Sequence, residues 1–312
     1  MQDWKILFIW ILLGLINEVH GNARGGSVDV LGVPPGASHE ERLVSARSFL
    51  HQTTLLVGAR RLRWPLEGSK NSTQARRTSS LQGLLELQRS KVAAQMWSLE
   101  VPCGAQYRNA VQLLLEQLDA LKRIINAHAR YDAPPRTIHS ARDAGLVGSL
   151  VMVGGGHSLG SSLGVLRSLP ELGVTGLTLT HTCPTPWAES ATSSDQPANT
   201  RGLTQFGKDL VLEMNRLGLL VDVSGSSAAT SRDAMFVSRA PVIFNNAFTR
   251  AKCPTLAPTA VDDDIISRLS RNGGVVLVSL TRGSNGSQNS CGHNQSVAAV
   301  LGKLYNNKYN ST

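Results

Sequence analysis

The stretch VMVGGGHSLGSSLGVLRSL, residues 151–169, contains the strand, turn and helix that decide how this chain folds. The apolar run at 150–153 is typical of a buried strand. Three glycines follow, and then GHSLG at 156–160, a G-x-S-x-G pattern between the strand and a predicted helix. Serine hydrolases place their nucleophile in this setting, so Ser158 is a candidate catalytic serine.

A serine hydrolase also needs an acid and then a histidine later in the chain, each at a strand end. Asp222 lies inside or at the end of a predicted strand. His293 is the only histidine after His181, and it lies in a polar stretch. A complete triad built on Ser158 is therefore poorly supported by the sequence.

The rest of the chain alternates between apolar runs and helical patterns. Further strands are predicted at 92–99, 177–180, 219–223, 242–244 and 275–280. Helices are predicted at 38–50, after Cys103, at 205–217 and at 262–271; Ser38 and Glu41 form a capping-box pattern at the start of the first. Continuous apolar strands that alternate with helices indicate a parallel α/β sheet, either open and doubly wound or closed into a barrel.

Ligands of such folds bind where the strands end. The residues after the predicted strands include Glu100, Gly154, His181, Gly225 and Asn246. For the active site of an enzyme, these positions are poor in carboxylates and histidines.

The N-terminus resembles a secretory signal peptide. Residues 6–16 form an uncharged apolar run that is too short to span a bilayer, and small residues follow it. We expect residues 1–21 to be the signal peptide, 22–37 a Gly/Pro-rich linker, and 38–312 one domain. The expected location is the secretory pathway and the extracellular space, and no later run predicts a transmembrane helix.

Secretion affects how the cysteines and asparagines are interpreted. An even number of cysteines in an oxidising route predicts disulfides, and their three possible pairings stay open from the residues alone. The sequence has no C-x-x-C pair, which is the pattern that would indicate a structural zinc site. The cysteines are Cys103, Cys183, Cys253 and Cys291, and the N-glycosylation sequons begin at Asn71, Asn285, Asn294 and Asn310.

The chain is basic, with a formal net charge of +9 and basic clusters at 60–63 and 76–77. A nucleic-acid-binding protein would add interleaved aromatic residues and a recognisable module, and neither is present. We therefore expect no nucleic-acid partner and interpret these clusters as solvated loops.

Seven segments together resemble the membrane dipeptidase family. They are AQMWSLEVPC (94–103), LLEQLDALKRI (114–124), GGHSLGSSLGVLRSL (155–169), LTLTHTCPTPWAES (177–190), EMNRLGLLVDVS (213–224), SRAPVIFNNA (238–247) and NGGVVLVSL (272–280). The resemblance implies a (β/α)8 TIM barrel that hydrolyses dipeptides with zinc. It also implies a glycosylated, GPI-anchored dimer, and disulfides that join Cys103 to Cys183 and Cys253 to Cys291.

The zinc ligands that the resemblance implies do not carry over. The family's bridging glutamate corresponds to Gly154, and its two single histidines correspond to Gly225 and Asn246. Its H-x-D pair should lie near residues 51–57, where His51 has no aspartate two residues later. Glycine has no side-chain donor, and an amide is a poor zinc ligand.

Among the substrate-contacting residues that the resemblance implies, His181 is retained, whereas the family's arginine corresponds to Thr259. The family's GGHSLD pattern also ends here in Gly160, so the G-x-S-x-G motif is explained by one substitution. Without metal, we interpret His181 and His157 as structural, hydrogen-bonded histidines.

The sequence ends at Thr312, before the family's last-strand motif. We therefore expect the eighth strand–helix unit and the lipid-anchor signal to be missing, which leaves an incomplete barrel.

Several functional interpretations stay open. The first is a secreted pseudoenzyme without metal that acts by binding, as a homodimer or as a heterodimer with a dipeptidase relative. The alternatives are the product of a decaying gene, an active dipeptidase, and a serine hydrolase that uses Ser158.

Overall fold

The computed structural model describes residues 38–52, 55–62, 92–127, 132–133, 146–192, 202–249 and 260–278. The predicted signal peptide and linker lie outside these residues, as do all four sequons, Cys253, Cys291, His293 and Thr259. The chain divides into two compact units, residues 1–57, 71–95 and 128–149 and residues 58–70, 96–127 and 150–312. The candidate site described below lies in the second unit.

The first unit contains helix α1, His39–Gln52. The backbone N–H of Ser38 donates to Glu41 Oε2 over 2.7 Å, and the N–H of Glu41 donates to Ser38 Oγ over 3.3 Å. This reciprocal pair is the predicted capping box, which satisfies backbone donors at the start of the helix. His51 lies near the end of α1 and therefore not after a strand.

The strands are β1 Leu55–Leu62, β2 Val92–Leu99, β3 Asp132–Ala133, β4 Val147–Val153, β5 Gly176–Thr178, β6 Leu220–Asp222, β7 Ile243–Thr249, β8 Ala260–Val261 and β9 Val275–Val278. The helices after α1 are α2 Ala110–Ala127, α3 Leu163–Ser168, α4 Gln205–Leu217, α5 Ala228–Val237 and α6 Asp263–Asn272. Two 3₁₀ turns cover Cys103–Ala105 and Gly156–Leu159.

The strands form one sheet in the order β1-β2-β4-β5-β6-β7-β8, with β3 beside β4 and β9 beside β7. The pairings β4–β5, β5–β6, β6–β7, β7–β8 and β7–β9 are all parallel. Every residue of β2 and of β4 is buried, because both faces of these strands are covered. The parallel sheet with intervening helices confirms the predicted TIM-barrel-like fold class.

The helices pack by apolar stripes and begin at hydroxyl caps. In α2 the buried residues Leu114, Leu118 and Leu121 repeat every three or four positions, as predicted. The side chains of Thr204 and Ser227 accept the N–H of Gly207 and Thr230, which caps α4 and α5.

The sequence patterns did not predict β1, β3, β8 or α5, and the strand predicted at 242–244 ends earlier than β7 does. The loop interpretation of the basic cluster at 60–63 is wrong for Arg60 and Arg61, which lie in β1 and interrupt its apolar pattern. Helix α5 is rich in small and hydroxyl residues and also shows no clear apolar period. The expectation about an eighth strand–helix unit concerns residues outside the described part of the chain.

No helix within the described ranges has the length and apolar character needed to cross a membrane.

Candidate functional site

The site lies where the central strands of the second unit end. Glu100 follows β2, Gly154 follows β4, His181 comes three residues after β5, Gly225 three residues after β6, and Asn245 lies in β7. All five residues are half-buried, whereas every residue of β2, β4 and β5 is buried. Since β4, β5, β6 and β7 are successive parallel neighbours, their carboxyl ends meet at one edge of the sheet, and β2 lies next to β4.

Gly154 is held against the end of β2. Its N–H donates to the carbonyl of Leu99 over 2.8 Å. The next carbonyl, that of Glu100, accepts a hydrogen bond from Gln117 Nε2 over 2.9 Å. The backbone on both sides of this part of the site is therefore fixed by hydrogen bonds.

Gly225 lies in a turn directly against His181. Its φ of 73° is in the left-handed region that glycine adopts without strain. The carbonyl of Gly225 accepts the N–H of Ala191 over 2.9 Å, and the carbonyl of His181 accepts the hydroxyl of Ser190 over 2.5 Å. The loop after β5 is thus attached to the turn after β6.

Asp222 is a buried carboxylate at the end of β6. Its Oδ2 accepts the hydroxyl of Thr178 over 2.7 Å, and its Oδ1 accepts both the hydroxyl and the N–H of Ser224 over 2.5 and 2.9 Å. The hydroxyl of Ser224 also accepts the N–H of Asn245. Burial raises the pKa of Asp222, and the hydrogen bonds from Ser224 and Thr178 partly oppose this rise. Its oxygens serve to connect β5, β6 and β7.

The serine of the G-x-S-x-G motif is enclosed by protein. Ser158 is 0 % exposed, and its hydroxyl has no hydrogen-bond partner within the described residues. A nucleophile elbow instead exposes its serine Oγ at the top of the sheet. Asp222, the possible acid of a triad, is hydrogen-bonded to hydroxyl groups.

His157 is also buried. Its Nε2 lies 2.9 Å from the carbonyl oxygen of Val101, and since a carbonyl can only accept, Nε2 carries the proton. Its Nδ1 has no partner among the described residues, and burial lowers the pKa of the ring. A neutral imidazole that fixes the segment after β2 agrees with the structural role expected for His157.

A disulfide between Cys103 and Cys183 joins the segment after β2 to the loop after β5. It is the first of the two bridges that the resemblance implies. Gln106 strengthens the same junction, because its Nε2 donates to the carbonyl of Pro184 over 3.0 Å.

Zinc is the metal that the family resemblance implies, and it requires imidazole, thiolate or carboxylate donors. In the described part of the chain, no three His, Cys, Asp or Glu side chains lie close enough together to hold a metal ion. Gly154 and Gly225 contribute no side-chain donor at the ends of β4 and β6, and both cysteines of this region are in a disulfide. The described residues at this edge do not fit a zinc site.

The sequence analysis named the main positions of this edge but not the contacts between them. Ser190 and Ser98, which surround the two glycines, were not singled out. The hydroxyl-rich composition of the loop after β5 is a signal for Ser190, whereas Ser98 lies within the apolar strand β2.

Comparisons with known proteins agree with the resemblance. The family model described as Membrane dipeptidase (Peptidase family M19) matches residues 44–298. Dipeptidase 3 of Mus musculus is 44% identical over 194 residues, which cover 62% of this chain and 39% of that protein. Dipeptidase 3 of Homo sapiens gives the same identity and coverage. The chain thus spans well under half the length of these relatives.

Solved structures resemble the chain in fold. Dipeptidase AC, a metallopeptidase of family M19, has a TM-score of 0.67 at 18% identity over 80% of this chain and 81% of that one. A metallopeptidase from Rhodobacter sphaeroides, liganded with a phosphinate mimic of the dipeptide L-Ala-D-Ala, has a TM-score of 0.65 at 18% identity over 80% and 82%. At such identities the likeness concerns the fold alone.

Proposed function

The chain belongs to the membrane dipeptidase family, and we propose that it is a catalytically inactive member that acts by binding. The observation that carries this proposal is the pair of glycines at the sheet edge. Gly154 follows β4 and Gly225 follows β6, the strands on either side of β5, where the chemistry of a metallopeptidase of this fold requires ligands. A glycine supplies no side-chain atom to bind zinc, activate water or polarise a peptide carbonyl.

Asp222 and Ser158 do not supply a substitute mechanism. Asp222 accepts hydrogen bonds from Thr178 and Ser224, and Ser158 is buried away from solvent. An unactivated serine is a weak nucleophile, so the GHSLG motif does not support hydrolysis either.

The disulfide supports the proposed route through the secretory pathway to the extracellular space. Bridges such as Cys103–Cys183 form and persist in oxidising compartments. Residues 1–21, with their apolar core, support the same route as a signal peptide.

The proposed binding partner is a second copy of the chain or a dipeptidase relative, because the family resemblance implies dimers. Light scattering of the purified secreted chain, alone and mixed with a dipeptidase relative, tests this part. A mass that stays at one chain in both samples would contradict it.

The test of inactivity is hydrolysis of a dipeptide with added zinc. We expect product formation at the background rate, because metal-assisted catalysis supplies many powers of ten in rate and nothing else at this edge replaces it. A solved metallopeptidase of the family serves as the positive control. Turnover that a chelator abolishes would show that the chain is an active dipeptidase and would overturn the proposal.

A further inference from the structure

The space around Gly154 and Gly225 is occupied by the chain's own atoms. Resting on the proposed function, we infer that packing has closed both strand ends. A side chain at either position then has to displace its neighbours, and restoring donors there does not rebuild a metal site. Metal binding is then prevented both by the lack of side-chain donors at the two glycines and by the atoms packed around them.

At Gly154 even a methyl group meets three atoms of the end of β2. A Cβ built on this residue would lie 2.6 Å from Ser98 Oγ, 2.8 Å from Glu100 Cγ and 3.0 Å from the carbonyl oxygen of Leu99. Side-chain rotation can relieve the first two contacts. The third involves backbone that the hydrogen bond from Gly154 N–H holds in place. A larger side chain must therefore displace Glu100 and Ser98 together.

At Gly225 the obstacle is mainly backbone. A Cβ would lie 3.0 Å from His181 Cδ2, 3.2 Å from His181 Cα and 3.3 Å from its carbonyl oxygen. Rotation of the imidazole relieves only the first of these contacts. The φ of 73° adds a separate cost for any residue other than glycine.

The backbone of His181 cannot move away easily. Its carbonyl accepts the Ser190 hydroxyl, and two residues later Cys183 is bridged to Cys103. On the other side, Ala191 holds the carbonyl of Gly225. The hydrogen bond between Ala191 and Gly225 thus holds the turn to the loop, while the Ser190 hydrogen bond and the disulfide fix the loop itself.

Two other glycines of the chain provide matched controls for alanine substitution. Gly218 has the same φ of 73° with no atom within 4 Å of its Cβ position, so Gly218→Ala measures the cost of the left-handed backbone alone. Gly104 has neither a positive φ nor a close neighbour. Gly104→Ala is therefore the baseline variant, with no cost from a left-handed backbone and none from a steric contact.

Thermal melting of the four alanine variants tests the closure. We expect Gly225→Ala to lower the Tm by about 3 °C or more beyond Gly218→Ala, and Gly154→Ala to do the same relative to Gly104→Ala. Ser98→Ala, which removes the nearest obstacle, should recover part of the loss caused by Gly154→Ala in a double-mutant cycle. If Gly154→Ala has the same Tm as Gly104→Ala, and Gly225→Ala the same Tm as Gly218→Ala, the inference is overturned.

Zinc binding separates this inference from the proposed function. The triple variant Gly154→Glu, Gly225→His, Asn246→His restores three donors, which is enough for a zinc site. We expect it to retain no more zinc after dialysis than the unaltered chain. Stoichiometric zinc in the triple variant only would overturn the closure, whereas zinc in the unaltered chain would overturn the proposed function. If the triple variant does not fold, the alanine variants decide the question.

Discussion

The hydroxyl of Thr178 donates a hydrogen bond of 2.7 Å to Oδ2 of Asp222, which joins β5 to β6 through a carboxylate that is 1 % exposed. Burial is the larger influence on this carboxyl and raises its pKa, although Ser224 and Thr178 both donate to it. Because the pKa of Asp222 is raised in the folded state, its contribution to the stability of the protein depends on pH.

We predict that Asp222→Asn flattens the dependence of stability on pH. With a raised pKa in the folded state, the folded chain binds the proton more tightly than the unfolded chain does. The contribution of Asp222 to stability is therefore greatest at low pH and is lost as the pH rises through the folded-state pKa. The asparagine amide does not titrate and can still pair with Thr178 and Ser224.

Melting curves of both proteins between about pH 3 and pH 7 measure this effect. The Tm of the variant minus that of the unaltered chain should increase as the pH rises. The contributions of the other carboxyls to the pH dependence are the same in both proteins and cancel in this difference. One of them is Glu213, and hydrogen bonds from Arg216 and Arg167 lower its pKa to about 2. A difference that decreases with rising pH would contradict the raised pKa.

We predict that replacing Cys103 and Cys183 by serine destabilises the chain substantially. The bridge closes a loop with a sequence separation of 80 residues, which the chain-entropy account values at about 4 kcal/mol. Chemical denaturation of the two proteins measures the difference. A loss of less than about 1 kcal/mol would mean that the bridge adds little to the rest of the fold.

The second implied bridge, Cys253 to Cys291, lies outside the described residues and stays a prediction. Peptide mapping of secreted material without reduction should find these two cysteines joined. A peptide that links Cys253 to Cys103 or to Cys183 would contradict both the pairing and the structure.

We predict that Ser158→Ala leaves the stability unchanged or raises it by up to about 1 kcal/mol, because its buried hydroxyl has no partner within the described residues. Ser227 is the matched control, since it is equally buried and its hydroxyl accepts the N–H of Thr230 at the start of α5. Ser227→Ala should cost about 1 kcal/mol.

The same pair of variants tests the hydrolase alternative. Hydrolysis of a short-chain ester should stay at background in the unaltered chain and in Ser158→Ala. Ester turnover that Ser158→Ala abolishes, with no metal dependence, would show that the GHSLG motif is a working nucleophile elbow.

The fold was accessible from the sequence where one local pattern dominates. The Ser38–Glu41 capping box and the apolar stripe of α2 predicted their helices correctly, because each needs only neighbouring residues. β1 was missed because its arginines interrupt the apolar pattern, and α5 because its alanines and its two hydroxyl residues, Thr230 and Ser231, suit several structures.

The candidate site was accessible only in part. Its positions follow from the rule that ligands bind at strand ends, and the family resemblance supplied the identity of the missing donors. The contacts that close the site join residues far apart in the chain, such as Gly225 with His181 and Gly154 with Ser98. No local pattern encodes these distances, since they depend on how neighbouring strands align.

The central claim is that this dipeptidase-family chain holds no zinc at the carboxyl ends of its strands. The most direct measurement is the metal content of the purified secreted chain after incubation with zinc and dialysis, beside a solved metallopeptidase of the family. We expect far less than one zinc ion per chain, because Gly154 and Gly225 provide no donors. About two zinc ions per chain, the content of a two-metal hydrolase, would contradict it.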